Sequence, residues 1–93
     1  MLMKKPAVKI SLVEKKGCKG CRRGHKVGDS WDYELDRGKI CPMAMHTAFV
    51  YADILRCGGQ VRPETPGLCY FSCPDPEVLN IFKIELIKED ENQ

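Results

Sequence analysis

Residues 42–57 are the part of this sequence that most restricts its fold, because they carry the signals of one complete helix. Pro42 stands at the first helical position, where proline is well tolerated. Gly58 and Gly59 follow and can supply the left-handed conformation that ends many helices. Between these signals, apolar residues recur at the spacing of one helix face; they are Ala44, Met45, Ala48, Phe49, Ala52 and Leu55.

Two segments before this helix and two after it are predicted to be strands. The first three lie around Ile10, around Tyr33 and at 68–73, and the fourth spans about 78–87. Alternation of apolar and polar residues is typical of half-buried strands; the alternating apolar residues are Val8, Ile10 and Leu12, then Trp31, Tyr33 and Leu35, and in the last strand Phe82, Ile84 and Leu86.

The order of these elements, β-β-α-β-β, predicts an α+β fold. We expect a mostly antiparallel four-stranded sheet with the one central helix packed on one face. The 93 residues have room for a single domain, 1–93, with an acidic frayed tail at about 88–93.

Residues 15–29 have no periodicity and contain four glycines, which predicts a long loop between the first two strands. Loops of this length in compact domains are usually functional or held by something other than secondary structure. The loop is also basic, and its cations are Lys15, Lys16, Lys19, Arg22, Arg23 and Lys26. They are interpreted as a solvated surface or, alternatively, as a contact for nucleic acid or another anion. The overall charge of +2 does not by itself indicate nucleic-acid binding.

The sequence favours a cytoplasmic protein with no membrane segment, since its one long, mostly apolar stretch, 40–55, is too short to span a bilayer. Met1–Met3 are followed at once by two lysines and a proline, so a secretory signal is not expected. Cysteines in the cytoplasm are normally reduced. The 6 cysteines are therefore better explained by metal binding or thiol chemistry than by disulfides.

The element geometry restricts which cysteines can meet. Cys41 and Cys57 flank the helix and lie roughly 24 Å apart, and Cys69 and Cys73 lie roughly 13 Å apart along one strand. If these elements are regular, neither pair can share a zinc ion or a disulfide. The remaining candidates lie in the loop or at element ends; they are Cys18, Cys21, His25, Cys41 and Cys73.

Three interpretations of this group remain open. Cys18, Cys21 and His25 form a C-x-x-C-x-x-x-H motif whose turn can direct both sulfurs at one metal ion. Alternatively, Cys41 is a redox or nucleophilic thiol beside His25, since a helix N-terminus favours thiolate. The third interpretation is that the cysteines are small buried hydrophobes; it is favoured above all for Cys57.

Three other residues receive structural interpretations. Cys69, within a predicted strand, is interpreted in the same way as Cys57. His46 points away from the Cys41 side of the helix and is interpreted as a satisfied or exposed histidine. Asp29 follows Gly28 and is expected to make a turn hydrogen bond.

The chain resembles a family of short prokaryotic proteins without an assigned activity. The resemblance covers most of the chain and rests on four motifs in order: C-x-x-G-H-K-V-G-D at 21–29, I-C-P at 40–42, the Gly pair at 58–59 and C-P-D-P at 73–76. It implies that Cys21, His25, Cys41 and Cys73 belong to the family pattern and form one set of four zinc or iron ligands. Cys18, which the family pattern does not include, is the expected substitute ligand. The expected function is a small metal-binding module, rather than an enzyme, whose site fastens loop 15–29 to the helix N-terminus.

Overall fold

The computed structural model describes residues 7–17, 20 and 23–87. Within them the elements follow the predicted order: β1 (Ala7–Lys15), β2 (Ser30–Asp32), α1 (Pro42–Arg56), β3 (Leu68–Ser72) and β4 (Asn80–Ile87). The strands form one sheet in the order β2-β1-β4-β3, and each neighbouring pair is antiparallel. The predicted α+β fold, with one helix and an antiparallel four-stranded sheet, is confirmed. The acidic tail predicted at 88–93 lies outside the described residues.

The core lies between α1 and one face of the sheet. Alternate residues of the three longer strands are buried there: Val8, Ile10 and Leu12 from β1, Cys69 and Phe71 from β3, and Phe82 and Ile84 from β4. The helix contributes Ala44, Ala48 and Ala52, each fully buried, and Leu55 near its end. Because three of these four side chains are alanine, the helix backbone lies close to the sheet.

The pairing of β1 with β4 is interrupted by one residue near the end of β1, resumes at Glu14 and Lys15, and is followed by the long loop. The register of β1 on β4 shifts between Leu12 and Glu14, which is a β-bulge at Val13. Beyond the strand, the backbone N–H of Gly17 donates to the carbonyl oxygen of Val78 at 3.1 Å. A Cβ atom on Gly17 would overlap the carbonyl oxygen of Glu77. Glycine is therefore required here by the close approach of two backbone segments.

The second strand is shorter than predicted, and the expectation that it continues through Leu35 is wrong. β2 ends at Asp32, and Leu35 lies in a turn with 83% of its surface exposed. The Asp32 carboxylate accepts backbone hydrogen bonds from Glu34 and Leu35, both at 2.9 Å. This side chain gives the backbone a turn in place of a strand ladder, so local turn formation overrides the alternating pattern.

Both ends of α1 follow from the signals in the sequence. The helix starts at Pro42 and ends at Arg56, one residue before the predicted boundary. Gly58 has a φ of 90° and donates to the Leu55 carbonyl, and Gly59 donates to the Ile54 carbonyl. These two bonds form the Schellman arrangement that satisfies the last carbonyls of a helix.

The predicted apolar face of α1 is narrower in the structure. Phe49 remains 48% exposed, and Met45 is only partly buried. Phe49 packs at the margin of the helix against the ring of Tyr33, with 6.0 Å between the ring centroids. The alanines occupy the centre of the contact with the sheet, so the larger side chains lie at its edges.

The C-terminal half of α1 is joined to the turn after β2 by an aromatic and ionic cluster. Tyr33 is fully buried, and the guanidinium groups of Arg37 and Arg56 lie 4.6 and 5.1 Å from its ring centroid. Arg56 also pairs with Glu34 and Asp53, both at 3.4 Å. Burial, followed by the Asp53 charge, raises the pKa of the Tyr33 hydroxyl, and the two arginines oppose this shift.

Candidate functional site

A pocket of about 500 Å³ opens where α1 begins and where β3 ends and β4 begins. Its lining includes His25 from the long loop, Cys41, which directly precedes α1, and Cys73, which directly follows β3. Asn80 and Phe82, both buried residues of β4, contribute to its wall. Three of the predicted site residues, from three separate segments of the chain, therefore face one cavity.

His25 is held in this pocket by its ring contacts. It is buried and lies edge-on to Trp31, with 4.7 Å between centroids and 62° between the planes. Its Nε2 accepts a hydrogen bond from the backbone N–H of Cys41 at 3.0 Å. Because Nε2 accepts, the imidazole is neutral and carries its proton on Nδ1.

The charges and burial around His25 favour this neutral form. Desolvation by burial is the largest effect and lowers the pKa of His25 from its ordinary value of 6.5. The carboxylate of Asp29 raises this pKa and the guanidinium of Arg23 lowers it. Asp29 also accepts a hydrogen bond from the backbone N–H of Lys26 at 2.9 Å, which confirms the predicted turn interaction.

Cys41 occupies the N-cap position of α1 and is only partly buried. No side chain caps the helix, and the first intrahelical bond joins the Met45 N–H to the Cys41 carbonyl. The N–H groups of Met43 and Ala44 precede this bond and therefore have no partner within the helix. The Cys41 thiol thus lies beside the positive end of the helix dipole.

Cys73 is buried and is held by contacts with the start of β4. Its sulfur accepts a hydrogen bond from the backbone N–H of Asn80 at 3.4 Å and donates to the Asp75 carbonyl at 3.8 Å. The backbone N–H of Cys73 donates to the Asn80 carbonyl at 2.9 Å. Leu79, just before Asn80, has a φ of 45°, a conformation that L-residues with a branched side chain seldom adopt.

The predicted metal ligands are only partly brought together by the described residues. His25, Cys41 and Cys73 line one pocket, whereas Cys18 and Cys21 lie outside the described part of the chain. Over residues 7–17, 20 and 23–87, no three His, Cys, Asp or Glu side chains are grouped closely enough to hold a metal ion. The role of these residues as metal ligands therefore stays a prediction.

The remaining candidates lie away from this pocket. Cys69 is buried in β3, where burial raises the pKa of its thiol, in agreement with the predicted hydrophobic role. The prediction that Cys57 is buried as well is wrong, because Cys57 is exposed just beyond the last turn of α1. His46 is exposed on the outer side of the helix. Their positions exclude Cys57 and His46 from the pocket.

The basic loop is solvated where the structure describes it. Lys15, Lys16, Arg23 and Lys26 are all exposed, and Arg23 also lines the pocket. Lys19 and Arg22 lie outside the described residues. The cations are therefore accessible to an anion, but only Arg23 among those described borders the cavity.

Asn80 is the site residue that sequence reasoning missed. It is 2% exposed, and its Oδ1 atom has no hydrogen-bond partner within the described part of the structure. The sequence contains a signal for its burial: Asn80 precedes Phe82 and Ile84 at the two-residue spacing of inward-facing strand positions. A polar residue at such a position places an amide in the core, which requires a partner.

Comparison with known proteins did not assign the chain to a family. No family model, no curated protein and no solved structure gave a significant match. Among the described residues, no helix has both the length and the apolar character needed to cross a bilayer. The functional argument therefore depends on the chemistry of the pocket itself.

Proposed function

We propose that this protein is a small metal-binding module in which Cys21, His25, Cys41 and Cys73 hold one zinc or iron ion. The observation that carries the proposal is that His25, Cys41 and Cys73, from three separate segments, line the same pocket. Cys21 lies four residues before His25 in the loop and would complete the set. The ion would fasten loop 15–29 to the start of α1 and the end of β3.

The chemistry of these side chains supports zinc or iron over harder cations. Thiolate and imidazole ligands suit zinc and iron, whereas calcium and magnesium prefer oxygen ligands. Four protein ligands would fill a tetrahedral zinc sphere, which is typical of structural sites rather than catalytic ones. Cys18, three residues before Cys21, is the substitute fourth ligand.

Metal binding would replace the hydrogen bond between His25 and Cys41. In the arrangement described here, the lone pair of Nε2 is engaged by the Cys41 N–H. A metal on Nε2 would take that lone pair, and a metal on Nδ1 would move the ring proton to Nε2. Binding of zinc or iron should therefore shift the amide resonance of Cys41 and the resonances of the His25 ring nitrogens in NMR spectra.

The test is elemental analysis of protein purified without chelators or a metal affinity column. We expect about one zinc or iron ion per chain, with both the metal and several degrees of melting temperature lost in Cys41→Ser and Cys73→Ser. Cys57→Ser is the matched control, since Cys57 is exposed at the other end of the helix. Metal-free wild-type protein that cannot be reconstituted with zinc or iron would refute the proposal.

A thiol protein that uses Cys41 is the second candidate. Cys41 is partly exposed at the helix N-terminus, whereas Cys69 and Cys73 are buried. His25 bonds to the backbone of Cys41, so in this geometry it orients the residue that carries the thiol. Peptide mapping after iodoacetamide treatment near pH 7 should then find Cys41 alkylated faster than the exposed Cys57. Equal rates at the two cysteines would count against this candidate.

A further inference from the structure

β2 and β3 are the edge strands of the sheet, and β3 is the less protected of the two. β2 has 3 residues and ends in the turn made by Asp32. β3 has 5 residues, Leu68–Ser72, with no charged residue, no proline and no shift in its register on β4. Very short strands, lysine, proline and bulges normally prevent an edge strand from pairing with another chain. β3 has none of these features.

The pairing of β3 with β4 determines which backbone groups of β3 face away from the sheet. The Gly67 carbonyl accepts a hydrogen bond from the Leu86 N–H at 2.8 Å, and the Cys73 N–H donates to the Asn80 carbonyl at 2.9 Å. Successive residues of an antiparallel strand direct their backbone groups alternately to its two sides. The odd-numbered residues of 67–73 therefore bond to β4, and the even-numbered residues direct their N–H and C=O groups outward.

Two of these outward-facing residues, Tyr70 and Ser72, have free backbone groups. The third, Leu68, is engaged locally: its N–H donates to the Thr65 carbonyl at 3.1 Å, and its carbonyl accepts from Thr65 Oγ1 at 3.2 Å. Tyr70 and Ser72 are exposed, and their N–H and C=O groups have no partner in the described part of the chain. The edge therefore offers both donors and acceptors to a further strand.

The free groups of this edge are complementary to those of a second copy of the chain. When two β3 strands run antiparallel with Phe71 opposite itself on a two-fold axis, Tyr70 of each copy lies opposite Ser72 of the other. These two residues then exchange N–H···O bonds in both directions, so every free group is used. Centring the pair on Tyr70 would instead require the groups of Leu68, which Thr65 already engages. The local turn therefore selects a single register.

The side of α1 next to this edge is uncharged. Tyr51 packs against Phe71 of β3, with 6.3 Å between the ring centroids, so this side of the helix faces the β3 edge. Thr47 and Ile54, four residues before and three residues after Tyr51, share the same side. Ile54 is exposed, as is Val50 at the margin of this side. Exposed sides of surface helices normally carry charged and polar residues, so an uncharged side indicates a contact.

Pairing of the two β3 edges would bring these helix sides together. A two-fold axis perpendicular to the sheet places both copies of α1 on the same face. The helix lies mainly over β4 and β3, so each copy is about one strand spacing from the axis. Strands are about 4.8 Å apart, and the two helix axes would therefore be roughly 10 Å apart. This is the distance at which helices pack against each other.

We propose that two copies of this chain pair through β3 into one continuous antiparallel sheet, with their α1 helices in contact across the two-fold axis. A second copy fits because neither the β3 edge nor this side of α1 has a charge that would repel its symmetry mate. The interface is small, so we expect a dissociation constant of about 1–100 μM. This proposal goes beyond metal binding, and none of its hydrogen bonds involves a proposed metal ligand.

The association is measured by sedimentation equilibrium of the full chain from about 1 μM to about 1 mM, which brackets the expected dissociation constant. A reductant is present so that disulfide-linked dimers do not form. We expect the mass to rise from that of one chain to that of two. Wild-type protein that stays monomeric at about 1 mM would overturn the proposal and leave the metal proposal unchanged.

Ser72→Pro tests the pairing of the two edges. It removes an outward N–H that β4 does not use, so the monomer should keep its fold, which circular dichroism checks. The dimer loses one hydrogen bond from each copy, and its dissociation constant should rise about a hundredfold. Ser72→Ala is the matched control, because it keeps the N–H and should dimerise as wild type does. A folded Ser72→Pro with wild-type affinity would refute pairing through β3.

Ile54→Lys tests the contact between the helices. It places a charge beside the same charge of the other copy, and the dissociation constant should rise about tenfold. His46→Lys adds the same residue at an exposed position on the outer side of the helix and should change the dissociation constant less than about twofold. Equal effects of the two lysines would refute the contact between the helices.

Amide hydrogen exchange of wild-type protein tests the same hydrogen bonds if Ser72→Pro does not fold. The amides of Tyr70 and Ser72 should exchange about tenfold more slowly at about 1 mM than at about 1 μM, because only the dimer protects them. The Leu68 amide is the internal control, since its bond to Thr65 is present in the monomer. Exchange of Tyr70 and Ser72 that does not depend on protein concentration would overturn the proposal.

Discussion

His25 is buried between the ring of Trp31 and the first turn of α1, and this position determines its response to pH. The native state favours the neutral ring, because burial lowers the pKa of His25. The neutral ring also accepts the Cys41 N–H, which a protonated ring could not do at Nε2. Protonation would therefore cost both desolvation and a hydrogen bond.

Acidification should destabilise the metal-free protein through His25. The native pKa lies below 6.5, so the unfolded chain binds a proton more readily than the native state does. This contribution to the free energy of unfolding is complete above pH 6.5 and is lost as the pH falls from 6.5 through the lower native pKa. Urea titrations of wild type and His25→Gln should converge over that range. His46→Gln, at an exposed position, is the control and should follow wild type. If the free energy of unfolding of His25→Gln ran parallel to that of wild type across this pH range, the prediction would be contradicted.

Position 17 requires glycine because of a backbone segment that is distant in sequence. Gly17→Ala should lower the free energy of unfolding by about 1–3 kcal/mol, because the new methyl group meets the Glu77 carbonyl. Gly20→Ala is the matched control from the same loop, where an added Cβ meets no atom within 4 Å. It should change stability by less than about 1 kcal/mol. Equal effects in chemical denaturation would show that the backbone contact is not restrictive.

At the level of elements, α1 depends on small side chains for its contact with the sheet. Ala44, Ala48 and Ala52 are fully buried in the contact. Ala48→Leu should therefore destabilise the protein by about 1–3 kcal/mol, since the extra volume forces the helix from the sheet. Both variants are to be compared with wild type by thermal denaturation. Val50→Leu is the control: it adds one methylene at a position that is 61% exposed and should change stability little. A fully tolerated Ala48→Leu would indicate space that the packing does not show.

The boundaries of α1 could be predicted from sequence because local signals determine them. Pro42 starts the helix and Gly58 ends it through backbone conformations that these residues favour. The second strand could not be bounded in this way, because the alternation up to Leu35 competes with the turn made by Asp32. Periodicity alone does not show which of these two local tendencies prevails.

The candidate site could be predicted in part for a similar reason. His25, Cys41 and Cys73 each lie in the loop or at an element end, so the order of elements suffices to bring them near one another. The bond from the Cys41 amide to Nε2 depends on the rotamer of a buried ring, which residue spacing does not determine. The unsatisfied oxygen of Asn80 likewise depends on the packing around it.

For the molecule as a whole, α1 separates the pocket from the aromatic and ionic cluster around Tyr33. The pocket lies at the start of α1, and the cluster of Tyr33, Arg37 and Arg56 lies toward its other end. A helix of 15 residues extends about 22 Å, which is beyond the range of most couplings between side chains. Changes at the two ends should therefore act independently.

A double-mutant cycle of Gly17→Ala and Arg56→Lys tests this independence, because the Gly17 N–H bonds to the carbonyl oxygen of Val78, a residue of the pocket lining. Arg56→Lys should cost about 1 kcal/mol, because lysine lacks the planar group that stacks on Tyr33. The effects of the two substitutions on the free energy of unfolding should add to within about 0.5 kcal/mol. A larger coupling energy in urea denaturation would show that the two ends communicate through the helix or the sheet.

The sheet order places β1 and β4, the first and last of the described strands, side by side at the centre. Ala7 pairs with Ile87, so the middle of the sheet is closed only by residues from opposite ends of the described chain. During synthesis on a ribosome, β1, β2 and α1 emerge long before their central partner is available. The apolar faces of β1 and α1 remain without their central partner until β4 is synthesised. Cotranslational folding of the sheet and helix is therefore completed only after β4 has left the exit tunnel.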